Sequence, residues 1–296
     1  MTPADRQGGG ILLVIVACAL FATLDTGSKF VSSTVPMLMV FWIRYIIQIL
    51  FTGLVLVPRQ GGAPFATRSP VLQVVRGLLL LLCSMLAFSS LMFMPVGEFT
   101  AIVMLSPLFV TLVASVALKE RVSPLRWLTV IGGFVGALVV IRPGSEAFAW
   151  AMLLPLLLVF ANTAFQIVTS RLSKTDAAGT THLITGLVGL AVTTLAMPFF
   201  WRPPDSALVW AILLGIGVLG TVGHYCLILG YSRAPASTLT PYLYSHIAFA
   251  TLGGWVVFSH VPDRWSLLGI ALIILCGCAG LWVTSREKSA ARGKLS

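Results

Sequence analysis

The chain is a succession of long apolar runs, and no other feature constrains its fold as strongly. A helix needs about 20 predominantly apolar residues to cross the hydrocarbon core of a bilayer. Ten windows approach or meet that length: residues 10–30, 37–57, 71–93, 98–118, 125–141, 149–170, 181–200, 208–230, 237–258 and 266–285. Short polar or breaker stretches separate them, among them Arg59-Gln60-Gly61-Gly62-Ala63-Pro64, Lys119-Glu120-Arg121 and Arg202-Pro203-Pro204-Asp205. Short connections force neighbouring helices to run antiparallel. The runs are about twice the length of a barrel strand and do not alternate, which excludes a transmembrane β-barrel. Composition closes the alternatives. The chain is 58% hydrophobic and 9% charged, against about 25% charged residues in a soluble domain. A cytosolic enzyme, a nucleic-acid-binding domain and a disordered chain are thereby excluded. The expected fold is all-α: a polytopic membrane protein with ten transmembrane helices.

The net charge of +10 reads as topology. Basic residues accumulate in cytoplasmic segments. With the N-terminus inside, the inner segments hold 14 Lys and Arg, the outer side holds 4, and Arg44 lies within a span. Both ends are therefore expected in the cytoplasm. The five cysteines lie in apolar runs and are odd in number, so a disulfide framework is not expected. Cys276 and Cys278 read as small helix-packing residues. The first apolar run lacks an Ala-x-Ala site and is followed by Asp25 and Lys29, so it reads as a retained helix.

The two halves echo each other. Phe21-Ala22 recurs as Phe160-Ala161, Pro95 as Pro235, and Arg126-Trp127 as Arg264-Trp265, at offsets of 139, 140 and 138. A unit of five spans changes sides once, so the second copy must be inverted. Inverted repeats are a transporter signature, with the substrate site near the midplane between them. The expected division is residues 1–145 for the first repeat, 146–285 for the second and 286–296 for a basic cytoplasmic tail.

The motifs Met94-Pro95-Val96-Gly97-Glu98, Leu105-Ser106-Pro107-Leu108-Phe109, Lys119-Glu120-Arg121-Val122-Ser123-Pro124, Gly132-Gly133-Phe134-Val135-Gly136 and Ile141-Arg142-Pro143-Gly144 resemble the ten-helix EamA-like members of the drug/metabolite transporter superfamily. Ala234-Pro235-Ala236-Ser237 and His260-Val261-Pro262-Asp263 look like the matching positions of the second half. The resemblance implies two EamA repeats, with spans one, three, four, six, eight and nine around a central cavity and spans five and ten packed away from it. It implies a multi-pass protein of a bacterial-type inner membrane. His260 stands where family members often carry a carboxylate.

Ionisable groups at membrane depth cost about 2.5–3.5 kcal/mol each on insertion scales, so each needs a reason. Asp25 and Lys29, at i and i+4, share a helical face. They read either as an ion pair or as a titrating or cation-binding carboxylate beside its neutraliser. Arg44 has the planar fork that suits a carboxylate or phosphate. It equally suits a pair with Asp25 or an outward reach. Glu98 opens span four, as a helix N-terminal carboxylate or as a gate. Asn162 and Gln166 share a face of span six, as helix–helix glue or as readers of polar cargo. His224 on span eight, with Tyr242 and His246 on span nine, forms the best aromatic-polar surface for cargo. Pro107 and Pro241 are expected to bend spans four and nine.

The candidate substrate-binding residues are thus Asp25, Asn162, Gln166, His224, Tyr242 and His246. The candidate coupling or gating residues are Asp25, Lys29, Glu98, Pro107 and Pro241. The expected function is a secondary carrier that exports a small, amino-acid-like metabolite by alternating access. The alternative is uptake of a nucleoside-like or vitamin-like compound. No phosphate-binding Gly-x-x-x-x-Gly-Lys-[Ser/Thr] run and no hydrolase or zinc motif occurs in the sequence, which argues against ATP drive and against an intramembrane enzyme. A passive channel is a further rival. The expected partners are the bilayer and a small-molecule substrate, without nucleic acid, metal or cofactor. A proton gradient and a homodimer stay open.

Overall fold

Backbone N–H and C=O groups find no water in the hydrocarbon core, so a spanning segment must satisfy them within itself. The apolar runs answer with helices. The computed structural model describes residues 3–56, 65–117, 123–142, 150–172, 175–233, 239 and 242–292, and these contain no strand. The helices are α1 (Pro3–Val31), α2 (Met37–Phe51), α3 (Pro70–Phe93), α4 (Val96–Val103), α5 (Ser106–Ala117), α6 (Pro124–Ile141), α7 (Leu154–Leu172), α8 (Ala178–Phe200), α9 (Ala207–Arg233), α10 (Ser245–Phe258) and α11 (Arg264–Arg292). A π-helical turn, Thr52–Leu56, extends α2, and a 3-10 turn, Trp150–Leu153, leads into α7. Five described segments are long and apolar enough to cross a membrane: Gly8–Val31, Met37–Val55, Pro70–Phe93, Gly179–Phe200 and Ala207–Leu227. Five shorter apolar segments, Val96–Phe109, Trp127–Ile141, Leu154–Thr169, Ser245–Phe258 and Arg264–Gly280, occupy the other expected spans.

The residues forecast as a basic tail begin inside a helix, because α11 continues to Arg292. Span four is split at Met104 and Leu105 into α4 and α5, and the helix of span nine is interrupted at Tyr244 just before α10. The two breaks stand 140 residues apart, at the offset of the repeat. Pro107 is the second residue of α5, where a helix tolerates the missing N–H. The chain thus breaks before this proline instead of bending at it. Pro241 lies outside the described residues.

The packing is symmetric under exchange of the two halves. α1 packs on α9 as α7 packs on α3, and α2 on α9 as α8 on α3. α1 meets α10 as α7 meets α4 and α5. The pairs α2–α8, α4–α10 and α6–α11 map onto themselves. α6 and α11 lean chiefly on each other, while the other helices make most of the remaining contacts between the halves. Buried apolar side chains form one cluster around Phe99, Ile102, Leu105, Ile247 and Ile273, and a second around Val31, Met39, Phe41, Leu213 and Ile216. Other apolar residues face outward, such as Phe199 at 82% and Leu54 at 75% exposure, as a surface dissolved in lipid requires.

Candidate functional site

The polar side chains of the apolar helices first satisfy themselves locally. Thr26, Thr100, Thr163, Thr169, Thr185, Thr193 and Thr221 each donate to the carbonyl four residues back. What remains unsatisfied, or reaches across helices, marks the candidate site.

Asp25 does not pair with Lys29. Its Oδ2 lies 3.3 Å from His246 Nε2 on α10, both groups being largely buried. That nitrogen has the proximity of an ion pair without the alignment of a hydrogen bond. Phe21, one turn back on α1, sets its ring edge-on to His224 at 4.9 Å and lies 6.3 Å from the His246 ring. α1, α9 and α10 thereby bring three of the candidate residues, Asp25, His224 and His246, around one phenyl ring. Tyr242 is 39% exposed. The break at Tyr244 separates it from His246, so the continuous face expected from their spacing is interrupted. Its carbonyl accepts from Ser245 Oγ at 2.7 Å.

Lys29 turns the other way. Its ammonium donates to the Leu91 and Met94 carbonyls at 2.6 and 2.8 Å and lies 5.8 Å from the Phe258 ring. A cation thus meets the end carbonyls of α3, where the helix dipole favours it. Beside it opens a cavity of about 290 Å³ lined by Lys29, Met94, Pro95, Phe258 and His260, among others. Glu98, 6% exposed in the first turn of α4, has its Oε1 3.4 Å from His260 Nε2. The two residues thus meet as one group, the histidine standing where a second carboxylate was sought. Asn162 donates to Ser106 Oγ at 3.2 Å, joining α7 to the first residue of α5. Gln166 is half-buried one turn further along α7.

Two arginines complete the interior. Arg44 donates to Ser84 Oγ on α3 and lies 5.3 and 5.5 Å from the Phe41 and Tyr45 rings. Arg76, counted from the sequence among the inner-loop charges, is instead buried in α3 at 9% exposure. Its Nε donates to Thr169 Oγ1 at 2.8 Å, its Nη1 donates to Thr185 Oγ1, and its guanidinium lies 4.7 Å from the Phe165 ring. Among the described residues, no carboxylate comes within ion-pair distance of either arginine. His182 on α8 is buried, with Nδ1 2.6 Å from Thr52 Oγ1. Arg44 on α2, Arg76 on α3, His182 on α8 and His224 on α9 are thus four basic side chains carried within spanning helices. The signal missed for Arg76 was its position, since Pro70 starts α3 six residues earlier.

The charged groups outside the spans are held differently. Burial raises the Asp176 pKa, but hydrogen bonds from Thr67, Gln73 and the Arg68 N–H outweigh it, and the carboxyl is held below its ordinary value. Asp263 is also lowered, first by the Ser266 N–H and further by Arg142.

Broken helices in two opposed repeats around buried polar groups recur in membrane transporters. The profile of the EamA-like transporter family matches the chain twice, over residues 8–142 and 146–283. The chain belongs to the EamA-like transporter family. It is 30% identical to a riboflavin transporter of Vibrio cholerae over 61% of either chain. A riboflavin transporter of Rhizobium johnstonii is 29% identical over 96% of this chain and 93% of its own. The pseudopaline exporter CntI of Pseudomonas aeruginosa PAO1 is 27% identical over 95% and 99%. A solved crystal structure aligns with 95% of this chain and 99% of its own at a TM-score of 0.65 and 18% identity, a likeness of fold alone. The protein is a multi-pass membrane transporter and not an enzyme.

Proposed function

We propose that the chain is a secondary carrier that moves a small, ring-bearing organic metabolite across the bacterial inner membrane by alternating access. The observation that carries this reading is the interior cluster of Phe21, Asp25, Arg44, His224 and His246. It places an aromatic face, an anion and several cationic or hydrogen-bonding groups at membrane depth. Aromatic walls with a few convergent polar groups are how organic-ligand pockets bind and orient their ligands. The riboflavin-transporting relatives support a vitamin-like cargo over an amino-acid-like one. The exporter among the relatives supports outward movement as the second reading. Asp25, His224 and His246 are assigned to cargo contact, and Lys29, Glu98 and His260 to the mouth of the pathway. Residues 1–145 and 146–285 are assigned to the two rocking repeats.

The test is counterflow in proteoliposomes preloaded with unlabelled metabolite, with riboflavin as the first probe and imposed pH gradients of both signs. Saturable uptake of label, accelerated by internal substrate, is expected. Flux that neither saturates nor shows counterflow would turn the reading to a passive channel. Dependence of the direction on the pH gradient would assign proton coupling.

A further inference from the structure

The cavity beside Lys29 is lined mainly by apolar groups, from the end of α3, from the connection to α4 and from Phe258 on α10. Among the described residues that line it, Lys29 and His260 carry the only polar side chains. Two lining residues bracket the Lys29 ammonium: it donates to the Met94 carbonyl at 2.8 Å and lies 5.8 Å from the centre of the Phe258 ring. An ammonium has three N–H donors. Two serve the Leu91 and Met94 carbonyls, and the third has no acceptor among the described residues. Neutral carbonyls ease the burial of the ammonium without cancelling its charge. Among the described residues, no carboxylate comes within ion-pair distance of it. Glu98 is close enough to act on Lys29, but it is 6% exposed, does not line the cavity and turns its Oε1 to His260.

Closing the end of α3 does not by itself account for the lysine. At the repeat offset of 139 its counterpart is Val168, so the charge is no part of the packing that the two halves share. Gly254 marks the space in front of it. This glycine is buried in α10 and lines the cavity, yet a Cβ built on it would meet nothing within 4 Å. A Cβ on its neighbour Gly253 would instead collide with Thr26. Glycine inside a helix weakens it relative to alanine; at Gly254 the missing side chain leaves the cavity room.

An uncancelled positive charge at the wall of an apolar cavity calls for an anion with an apolar body. We propose that this cavity is a cargo subsite for an aromatic monocarboxylate, its carboxylate on the free N–H of Lys29 and its ring against Phe93, Met94 and Phe258. One carboxylate matches one free donor and one charge. A phosphate would bring a second negative charge towards Glu98 and more acceptor oxygens than the cavity has donors. Aromatic and methionine side chains give the ring flat and adaptable walls. The volume of about 290 Å³ stands at the lower end of organic-ligand pockets and suits one ring with its acid group. Acidic ring-bearing compounds are therefore taken ahead of their neutral analogues. This inference rests on the carrier reading above and deepens it, by naming the class of cargo that the mouth of the pathway selects.

The test measures binding of benzoate, phenylacetate and indole-3-acetate, each against its uncharged amide. Equilibrium dialysis on the full-length protein in phosphatidylcholine nanodiscs at neutral pH gives the affinities. Wild-type protein is expected to bind at least one acid about tenfold more tightly than its amide, the scale of one charge-assisted hydrogen bond. Lys29→Gln is expected to bring that ratio towards one. Gly254→Leu is expected to remove binding of acid and amide alike while the melting temperature is retained, because its side chain enters open space. If Lys29→Gln fails to insert, the wild-type ratio and the glycine variant still decide. Equal binding of acid and amide by the wild type, binding of no acid in the panel, or undiminished binding by Gly254→Leu overturns the subsite. Tighter binding of phenyl phosphate than of phenylacetate overturns the assignment to a carboxylate. Riboflavin counterflow alongside any of those results would leave the carrier reading standing, whereas absence of saturable counterflow for any metabolite would remove the carrier reading itself.

Discussion

Asp25 shows what one buried side chain can be asked to do. Lys29, its neighbour at i+4, is occupied by the end of α3, and Asp25 faces His246 from another helix. Asp25→Asn keeps the shape and removes the charge. It is expected to lower counterflow at least tenfold while the protein still inserts and elutes as wild type in size-exclusion chromatography; full transport would remove Asp25 from the site. Asp263 gives a pH prediction of known sign. It accepts the Ser266 N–H at 2.8 Å, an N-cap contact for α11, and pairs with Arg142 at 2.7 Å. Its pKa is lowered in the folded protein, so its stabilisation is present above the ordinary carboxylate pKa. It is lost as the pH falls through the lowered value. Asp263→Ala is expected to cost about 1 kcal/mol through the lost cap. Melting curves of the variant and the wild type should converge at low pH. The sequence made Asp25, His224 and His246 legible because charge and imidazole are rare in apolar runs. It concealed Arg76, which looked like one more basic residue at a helix end.

At the scale of the element, α6 and α11 meet backbone to backbone. A Cβ on Gly136 would lie 2.9 Å from the Gly269 carbonyl oxygen, and one on Gly269 would lie 2.6 Å from the Gly136 carbonyl oxygen. Small residues at such crossings let van der Waals packing replace the hydrophobic drive that lipid removes. Gly136→Val or Gly269→Val is expected to destabilise the fold by about 1–3 kcal/mol through overpacking. Because α6 and α11 stand aside from the chamber, the KM of any cargo should be unchanged in the folded fraction. Thermal unfolding in detergent and counterflow kinetics read the two effects separately. Helix existence was legible element by element from apolar length. The interruptions at Met104–Leu105 and Tyr244 were not, because only the proline positions hinted at them. Pro107 follows its break instead of making it.

For the whole molecule, ten spans put both ends on one side, and the basic bias predicts that this side is the cytoplasm. Removing buried Arg76 from the inner count leaves thirteen basic residues inside against four outside, so the bias survives. Activity reporters fused at either end should both report the cytoplasm; opposite reports would mean an odd number of crossings. The pairing pattern supplies what spacing alone did not, since the main packing contacts between the halves, α1–α9 with α7–α3 and α2–α9 with α8–α3, have counterparts under exchange.

The sequence by itself determined the membrane class, the helix count, the repeat and its family, because each is written in local hydropathy or in residues at fixed spacing. Only the tertiary structure decided the partners: Lys29 with the end of α3, Asp25 with His246, Glu98 with His260, and Arg76 with two threonines of other helices. Spacing along one helix limits which residues share a face. Which of those side chains find a hydrogen bond or a counter-charge depends on helices far apart in the chain, and in an apolar interior that choice decides which groups remain free to meet a cargo.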